Sequence, residues 1–241
     1  MSPPKPNVLI ILTSQAEIPA TRNQTGWYLS DLAHSHEILK DKVSLTLASP
    51  HGGDAPLDPS SITQSEHTDD VVATAFLAQS REIWAHTARI REMVVRAADF
   101  QALFEGRPGG VAMFDFVTDA FSLALVQTFA AAKKPVAAVG HASVALLNAT
   151  APSGVPLLAG TTVTGYSVEE EQAAGMADVV PFRLETELDR VSGGGYVKAD
   201  RIWGEKVVVS TAAGTQSPVI TGQNTASAAG VAREILRVLG V

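Results

Sequence analysis

The sequence contains no cysteine, which excludes disulfides, thiolate nucleophiles and cysteine metal sites. Basic residues are also few, because 18 lysines and arginines stand against 25 aspartates and glutamates, for a formal net charge of -7. No lysine or arginine cluster offsets this balance. We therefore expect no nucleic-acid partner.

Long apolar runs are missing as well. The run nearest the N-terminus, from Val8 to Leu12, is much shorter than the roughly 20 residues of a membrane span. It also lacks the shape of a signal peptide. These features predict a cytoplasmic protein without a membrane partner.

The residues that are present are sufficient for a sizeable core, since 46% of the 241 residues are hydrophobic and 18% are charged. No repeat or internal linker divides the chain, so we expect a single domain over residues 1–241. The predicted strands are 7–14, 43–50, 101–106 and 136–139, the predicted helices are 26–40, 69–99, 121–134 and 226–240, and a hairpin is predicted over 206–222. This alternation predicts an α/β fold, a flavodoxin-like sandwich whose mostly parallel sheet carries helices on both faces.

The stretch "KPVAAVGHASVALL" (134–147) is the most informative in the chain. An apolar strand ends at Gly140 and His141, and a small-residue segment that could open a helix follows at once. Many α/β enzymes hold their nucleophile at such a strand-to-helix turn. Here glycine occupies that position, and Ser143 lies about one helical turn further on. Ser143 could line a pocket, but a serine in the first turn that satisfies backbone donors is the simpler interpretation.

Several landmarks along the chain resemble one known family in their order and spacing. They are "LTS" (12–14), "TGWYLSDLAH" (25–34), "ASPHGG" (48–53), "PGGVAMFDF" (108–116), "KPVAAVGHA" (134–142), "VTGYSVEEE" (163–171), "VVPFRLETEL" (179–188) and "TGQNTASA" (221–228). The chain is similar to the ThiJ/PfpI superfamily, whose fold is like that of class I glutamine amidotransferases. It looks most like the branch of cofactor-independent glyoxalases (glyoxalase III) and related stress chaperones.

The resemblance implies that the usual nucleophile is lost. The family pattern Ala-x-Cys-His-Gly-Pro is Ala-Val-Gly-His-Ala-Ser here, so Gly140 stands at the cysteine position and His141 is retained. The family's Gly-Gly-His-Gly turn is Gly-Gly-Val-Ala at 109–112. Glyoxalase chemistry in the family is implied to begin with thiolate attack on an aldehyde. We therefore expect negligible conversion of methylglyoxal to lactate.

The resemblance also implies an acid/base set. A glutamate that usually contacts the cysteine corresponds to Asp31, and the glutamate that partners the histidine falls on Glu171. The run Glu169 to Glu171 is continuous, so its neighbours remain alternatives, and a solvated helix start would explain any of the three. Family members are commonly dimers, which implies a homodimer.

Together these considerations predict a site with two groups of residues. The predicted catalytic residues are His141, Glu171 and Asp31, and the predicted substrate-binding residues are Gly109, Gly110, Val111, Phe114, Gly140, Ser143 and Trp27. Gly109 and Gly110 could present backbone N–H groups to an oxyanion or simply form a tight turn. For the aromatic residues, core packing is the competing explanation.

No metal or cofactor is expected at this site. His34 and His36 are two residues apart and cannot face one another on a helix, although Asp31 and His34 can. We predict a cysteine-independent acid/base enzyme of lyase, hydratase/dehydratase or isomerase type, with a small carbonyl or polyketide-like metabolite as its substrate. The alternative is a non-catalytic holding chaperone or small-molecule binding module.

Overall fold

The apolar runs of the sequence form the strands of a sheet. The structure, a computed structural model, describes residues 4–106 and 112–241. Its strands are β1 (Asn7–Ile11), β2 (Ser44–Ser49), β3 (Ala88–Arg89), β4 (Ala102–Glu105), β5 (Val136–Val139), β6 (Val207–Thr211) and β7 (Pro218–Gly222). The runs 7–14, 43–50, 101–106 and 136–139 are thus confirmed as strands.

The seven strands lie in the order β3-β2-β1-β4-β5-β7-β6. All neighbours are parallel except β6 and β7, which pair antiparallel as the predicted hairpin requires. From β1 the chain builds outward to β2 and β3, and then returns to the other side of β1 with β4. The strand order therefore reverses between β1 and β4, and such switch points are where open α/β sheets bind ligands.

Helices cover both faces of this sheet, as the alternating pattern predicts. The α-helices are α1 (Leu29–Leu39), α2 (Pro59–His67), α3 (Val71–Gln79), α4 (Arg81–Ala85), α5 (Ile90–Val95), α6 (Ala112–Asp115), α7 (Ala120–Ala131), α8 (Val168–Ala173), α9 (Leu184–Ser192) and α10 (Ala228–Leu239), and 3-10 helices span Ala97–Asp99, Gly140–Leu146 and Thr225–Ser227. Alternate strand residues enter two separate apolar clusters. The fold is thus a flavodoxin-like α/β sandwich.

The predicted helical stretch 69–99 is wrong as one segment, because the chain extends in its middle to form β3. Ala88 pairs with Ala48 of β2 at the edge of the sheet. Thr87, a β-branched residue, anchors this turn through a 2.8 Å hydroxyl contact with Ser49 and a 2.8 Å bond to the Gly53 carbonyl. Tertiary pairing therefore overrides the helical pattern.

The helix predicted over 121–134 ends earlier, at Ala131, so Lys133 and Lys134 lie beyond it. The N–H of Lys133 donates to Ala130 O at 3.0 Å, and that of Lys134 donates to Phe129 O at 2.9 Å. This is the Schellman pattern, which places the first residue after the cap in the left-handed region. Lys133 has φ +58, where glycine is favoured.

A Lys133→Gly variant should be more stable than the wild type by about 0.5–1 kcal/mol, because glycine removes the steric cost of the left-handed conformation. The matched control is Lys134→Gly. The Lys134 ammonium donates to Ala97 O at 3.0 Å and lies 5.4 Å from the Phe129 ring centroid, so this change should destabilise the fold. Urea unfolding measures both. Equal changes in stability for Lys133→Gly and Lys134→Gly would contradict the Schellman motif assigned to this helix end.

No helix in the described part of the chain is long and apolar enough to cross a membrane.

Candidate functional site

The strand-to-helix turn at the end of β5 positions the candidate site. Gly140 follows Val139 directly, with φ +59, and the chain then winds into the 3-10 helix Gly140–Leu146. Every residue of that helix is buried. A residue with a side chain would be strained at Gly140, so glycine suits this backbone position.

His141 is held by the first turn of another helix. Its Nε2 lies 2.7 Å from Glu171 Oε1, and the side chains are only 2% and 1% exposed. His141 Nδ1 and Glu171 Oε2 are also buried, and neither has a hydrogen-bond partner among the described residues. The structure therefore joins these two predicted site residues directly.

This contact determines which ring nitrogen of His141 is available for chemistry. An ionised carboxylate only accepts hydrogen bonds, so Glu171 favours the tautomer with the proton on Nε2. Nδ1 then carries the lone pair of the neutral ring. A histidine oriented in this way can act as a general base through Nδ1.

The three consecutive glutamates of α8 have three different environments. Glu169 is exposed and lies 3.4 Å from Lys198 Nζ. Glu170 is fully buried and forms a capping box with Ser167, which begins the helix. Glu171 is therefore the residue that contacts His141, an assignment that the continuous run left open.

Glu170 accepts more hydrogen bonds than a capping box requires. Its Oε2 accepts from the N–H and hydroxyl of Ser167 at 3.0 and 3.1 Å. Its Oε1 accepts from Trp203 N at 3.2 Å, Gln223 Nε2 at 3.0 Å and Asn224 Nδ2 at 2.7 Å. One carboxylate thus ties α8 to two loops beside the His141 contact.

An aromatic stack extends from His141 towards solvent. The ring centroids of His141 and Tyr166 lie 4.1 Å apart, and those of Tyr166 and Trp203 lie 5.7 Å apart. Tyr166 is buried, whereas Trp203 is 45% exposed and has φ +62. The half-exposed Trp203 therefore stacks on the ring that covers His141.

The other predicted site residues lie in α1, in the apolar core and in α6, and three lie outside the described residues. Asp31 is buried in the first turn of α1. Trp27 lies in the core, where its ring N–H donates to Ala55 O at 3.2 Å and its centroid lies 5.1 Å from that of Trp84. Phe114 is half-buried in α6. Gly109, Gly110 and Val111 lie outside the described residues.

Ser143 is fully buried in the 3-10 helix and donates to Thr164 O at 3.4 Å. The expectation that it satisfies backbone donors is therefore wrong, because its partner is a carbonyl group. His34 contacts Asp70 Oδ2 at 3.0 Å rather than a metal-like partner on its own helix. Within residues 4–106 and 112–241, no group of three or more acidic or histidine side chains has the arrangement of a metal site.

Sequence reasoning missed two acids near the switch point, of which Glu105 is fully buried and Asp115 is half-buried. Glu105 ends β4, is 0% exposed, and has no hydrogen-bond partner for either carboxyl oxygen among the described residues. Burial raises the pKa of Glu105 well above its ordinary range, and repulsion from Asp115 and Asp119 raises it further. A charged residue in the otherwise apolar run "ALFE" was the available signal.

Asp115 is the second of these acids. Its Oδ2 accepts from the Thr13 hydroxyl at 2.6 Å, and its Oδ1 accepts from Phe116 N at 2.9 Å. Burial raises the pKa of Asp115 to about 7, although these hydrogen bonds oppose the shift. Glu105 at the end of β4 and Asp115 at the end of α6 are thus two acids with a raised pKa, and Asp115 is bonded to Thr13 just beyond β1.

Comparisons with known proteins give this chain relatives of the same architecture. No protein-family model matches it, and a search of curated proteins finds no match. Among solved structures, Rapid Encystment Protein 24 KDa (REP24) of Francisella tularensis is 30% identical over 97% of this chain and 99% of that chain, with a TM-score of 0.85. Glyoxalase III from Candida albicans is 22% identical over 96% of each chain, with a TM-score of 0.78.

A ThiJ/PfpI domain protein from Brachyspira murdochii shares the fold at 17% identity, with 98% of each chain covered and a TM-score of 0.61. The chain therefore belongs to the DJ-1/ThiJ/PfpI superfamily, with REP24 and glyoxalase III among its structural relatives, as a member that has no cysteine.

Proposed function

We propose that this chain is a cysteine-independent acid/base enzyme of the lyase, hydratase/dehydratase or isomerase type, acting on a small carbonyl or polyketide-like metabolite. The observation that carries the proposal is the buried 2.7 Å contact between His141 Nε2 and Glu171 Oε1. It lies at the carboxyl end of β5, and open α/β sheets bind ligands outside the carboxyl ends of their strands. Histidine is the most frequent general acid or base in enzymes, and a carboxylate can hold its ring in one orientation.

His141 is the base in this mechanism. Its Nδ1 removes a proton from the carbon next to the substrate carbonyl, and the electron pair of that bond forms the C=C bond of an enolate. Glu171 keeps the proton on Nε2 and stabilises the imidazolium that forms. Asp31 is the second acid or base, which protonates another carbon or a leaving hydroxyl group. No step uses a thiolate, which agrees with glycine at residue 140.

Exchange of α-protons with solvent deuterium tests this proposal, because it detects enolisation whatever product follows. Hydroxyacetone in D₂O is the probe, and ¹H NMR follows the loss of its methylene signal. The wild type should accelerate exchange, and His141→Ala should lose that acceleration by about a hundredfold or more. Glu171→Gln should lose less of the acceleration, because an amide oxygen still accepts a hydrogen bond from the Nε2–H group. Asp31→Asn should also lose less.

His86→Ala is the matched control for removing a histidine. His86 Nε2 lies 3.2 Å from Glu82 Oε2 in an exposed pair far along the chain from the turn at Gly140. Its exchange rate should equal that of the wild type. Full exchange by a folded His141→Ala variant, with an unchanged melting temperature, would show that the chemistry lies elsewhere.

A holding chaperone is the second candidate, and one observation favours it. Ile202 and Trp203 are adjacent apolar side chains that are 41% and 45% exposed. Suppression of the aggregation of heat-unfolded citrate synthase by the wild type, with loss of that suppression in Trp203→Ser, would support this function. If the same preparation showed no deuterium exchange, the result would favour the holding chaperone over the acid/base enzyme.

A further inference from the structure

Glu105 is the strongest unused chemical group in the described part of the chain. Both oxygens of its carboxyl group are buried and have no hydrogen-bond partner there. Leaving such a group without a partner costs free energy. An apolar residue of similar length would avoid that cost. The presence of a carboxyl group therefore calls for an explanation other than stability.

The position of Glu105 in the sheet points to a ligand. Glu105 is the last residue of β4 and pairs with Ile11 of β1, across the point where the strand order reverses. Open α/β sheets bind ligands outside the carboxyl ends of the strands at such a point. Thr13 lies two residues beyond Ile11, and its hydroxyl is bonded to Asp115. The fully buried Glu105 thus lies at the end of the sheet where a ligand is expected.

The same strand end adjoins the element that carries His141. Glu105 pairs with Ala138 of β5 on its other side, and the turn at Gly140 begins two residues later. Both β4 and α6 contact the 3-10 helix Gly140–Leu146. Glu105 and the turn that carries His141 therefore lie at the carboxyl ends of two neighbouring strands.

We propose that Glu105 is a further catalytic residue, which donates its carboxyl proton to the carbonyl oxygen of the bound substrate while His141 removes the α-proton. This inference rests on the proposed function and names the group that holds the substrate oxygen. A carboxylic acid kept neutral by an apolar environment is a strong hydrogen-bond donor to an enolate oxygen. The raised pKa of Glu105 supplies the neutral form.

The proposed step balances. The C–H bond breaks, its proton goes to His141 Nδ1, and its electron pair forms the C=C bond of the enol. The carbonyl π pair moves to oxygen, which takes the proton of Glu105 and leaves a carboxylate. Return of a proton from His141 to carbon, and of the enol proton to Glu105, restores both residues. Asp31 remains available for a second proton transfer.

Glu105→Met and Glu105→Gln separate this role from a merely structural one. Methionine removes the buried polar group, so the urea midpoint should rise while hydroxyacetone exchange falls at least tenfold. Glutamine still donates a hydrogen bond but has no acidic proton, so its exchange rate should lie between those of Glu105→Met and the wild type. Ser122→Ala is the matched control, because the Ser122 hydroxyl is also buried without a partner among the described residues. That variant should keep full exchange.

Infrared difference spectroscopy gives a readout that needs no turnover. Adding hydroxyacetone should shift the C=O stretch of a protonated carboxyl group in the wild type, and the shift should be absent in Glu105→Gln. Full exchange by Glu105→Met would overturn the role of Glu105 and leave the proposed function standing. An infrared shift without any exchange would support the Glu105 contact and overturn the enolisation. Neither signal in the wild type would overturn both.

Discussion

Glu170→Gln will be less stable than the wild type by at least about 1–3 kcal/mol, the cost of leaving one buried hydrogen-bond donor unpaired. The carboxylate accepts five hydrogen bonds, two on Oε2 and three on Oε1. The amide of glutamine replaces one of these acceptors with a donor. The amide NH₂ then faces donors on one side. These are either the donors of Ser167 or those of Trp203, Gln223 and Asn224. Each buried donor left unpaired costs about 1–3 kcal/mol.

Glu169→Gln is the control for this result, because it makes the same chemical change one residue earlier. Glu169 is exposed and its contact with Lys198 spans 3.4 Å. Exposed pairs contribute about 0–1 kcal/mol, so the change should leave stability nearly unaltered. Urea unfolding followed by circular dichroism measures both variants. Similar stability of the two would contradict the network described for Glu170.

The contribution of Asp115 to the stability of the folded state will be lost as the pH rises from about 4 to about 7. The pKa of Asp115 is raised by burial from 3.8 to about 7, so the unfolded chain releases this proton at a lower pH than the folded chain. The stability from protonated Asp115 is therefore fully present below about pH 4 and is lost as the pH passes through about 7. A shift of about three units corresponds to a change on the order of 4 kcal/mol. Glu105, whose pKa is also raised, acts in the same direction.

Asp115→Asn should flatten this dependence, because asparagine is neutral at every pH in the window. Its amide can still pair with the Thr13 hydroxyl and with Phe116 N. Asp58→Asn is the control, since Asp58 also accepts from a threonine hydroxyl, that of Thr25, and from a backbone N–H, that of Ser60. Urea unfolding at several pH values from 4 to 8 gives the slopes. Equal slopes for the wild type and Asp115→Asn would contradict the raised pKa of Asp115.

Periodicity and turn chemistry predicted the fold because local and tertiary preferences agree along most of the chain. The strand before Gly140, the antiparallel pair at 206–222 and the final helix are all confirmed. The prediction failed at β3, where two residues leave a helical pattern to extend the sheet edge. It also left α2 unassigned, although Asp58 and Pro59 supply a capping residue and a first-turn proline.

From the residues alone the candidate site was predictable only at the turn that carries His141, and Glu171 was named through the family resemblance. His141 follows from the turn at Gly140, but three adjacent glutamates differ only in the direction of their side chains from α8. Helix geometry sends Glu169 to solvent, Glu170 to two loops and Glu171 to the histidine. Glu105 escaped notice because an acid that ends a strand is ordinarily solvated, and its burial depends on helices far away in sequence.

The left-handed backbone at Gly140 has a consequence for substitutions at this residue. With φ +59, any side chain introduced there would add about 1–2 kcal/mol of backbone strain, a large share of the stability of an ordinary domain. A single mutation that installs a nucleophile at residue 140 would therefore carry this cost in stability, which the rest of the fold has to absorb, as it must wherever the family pattern places cysteine at this turn. Glycine at residue 140 relieves the turn of that strain.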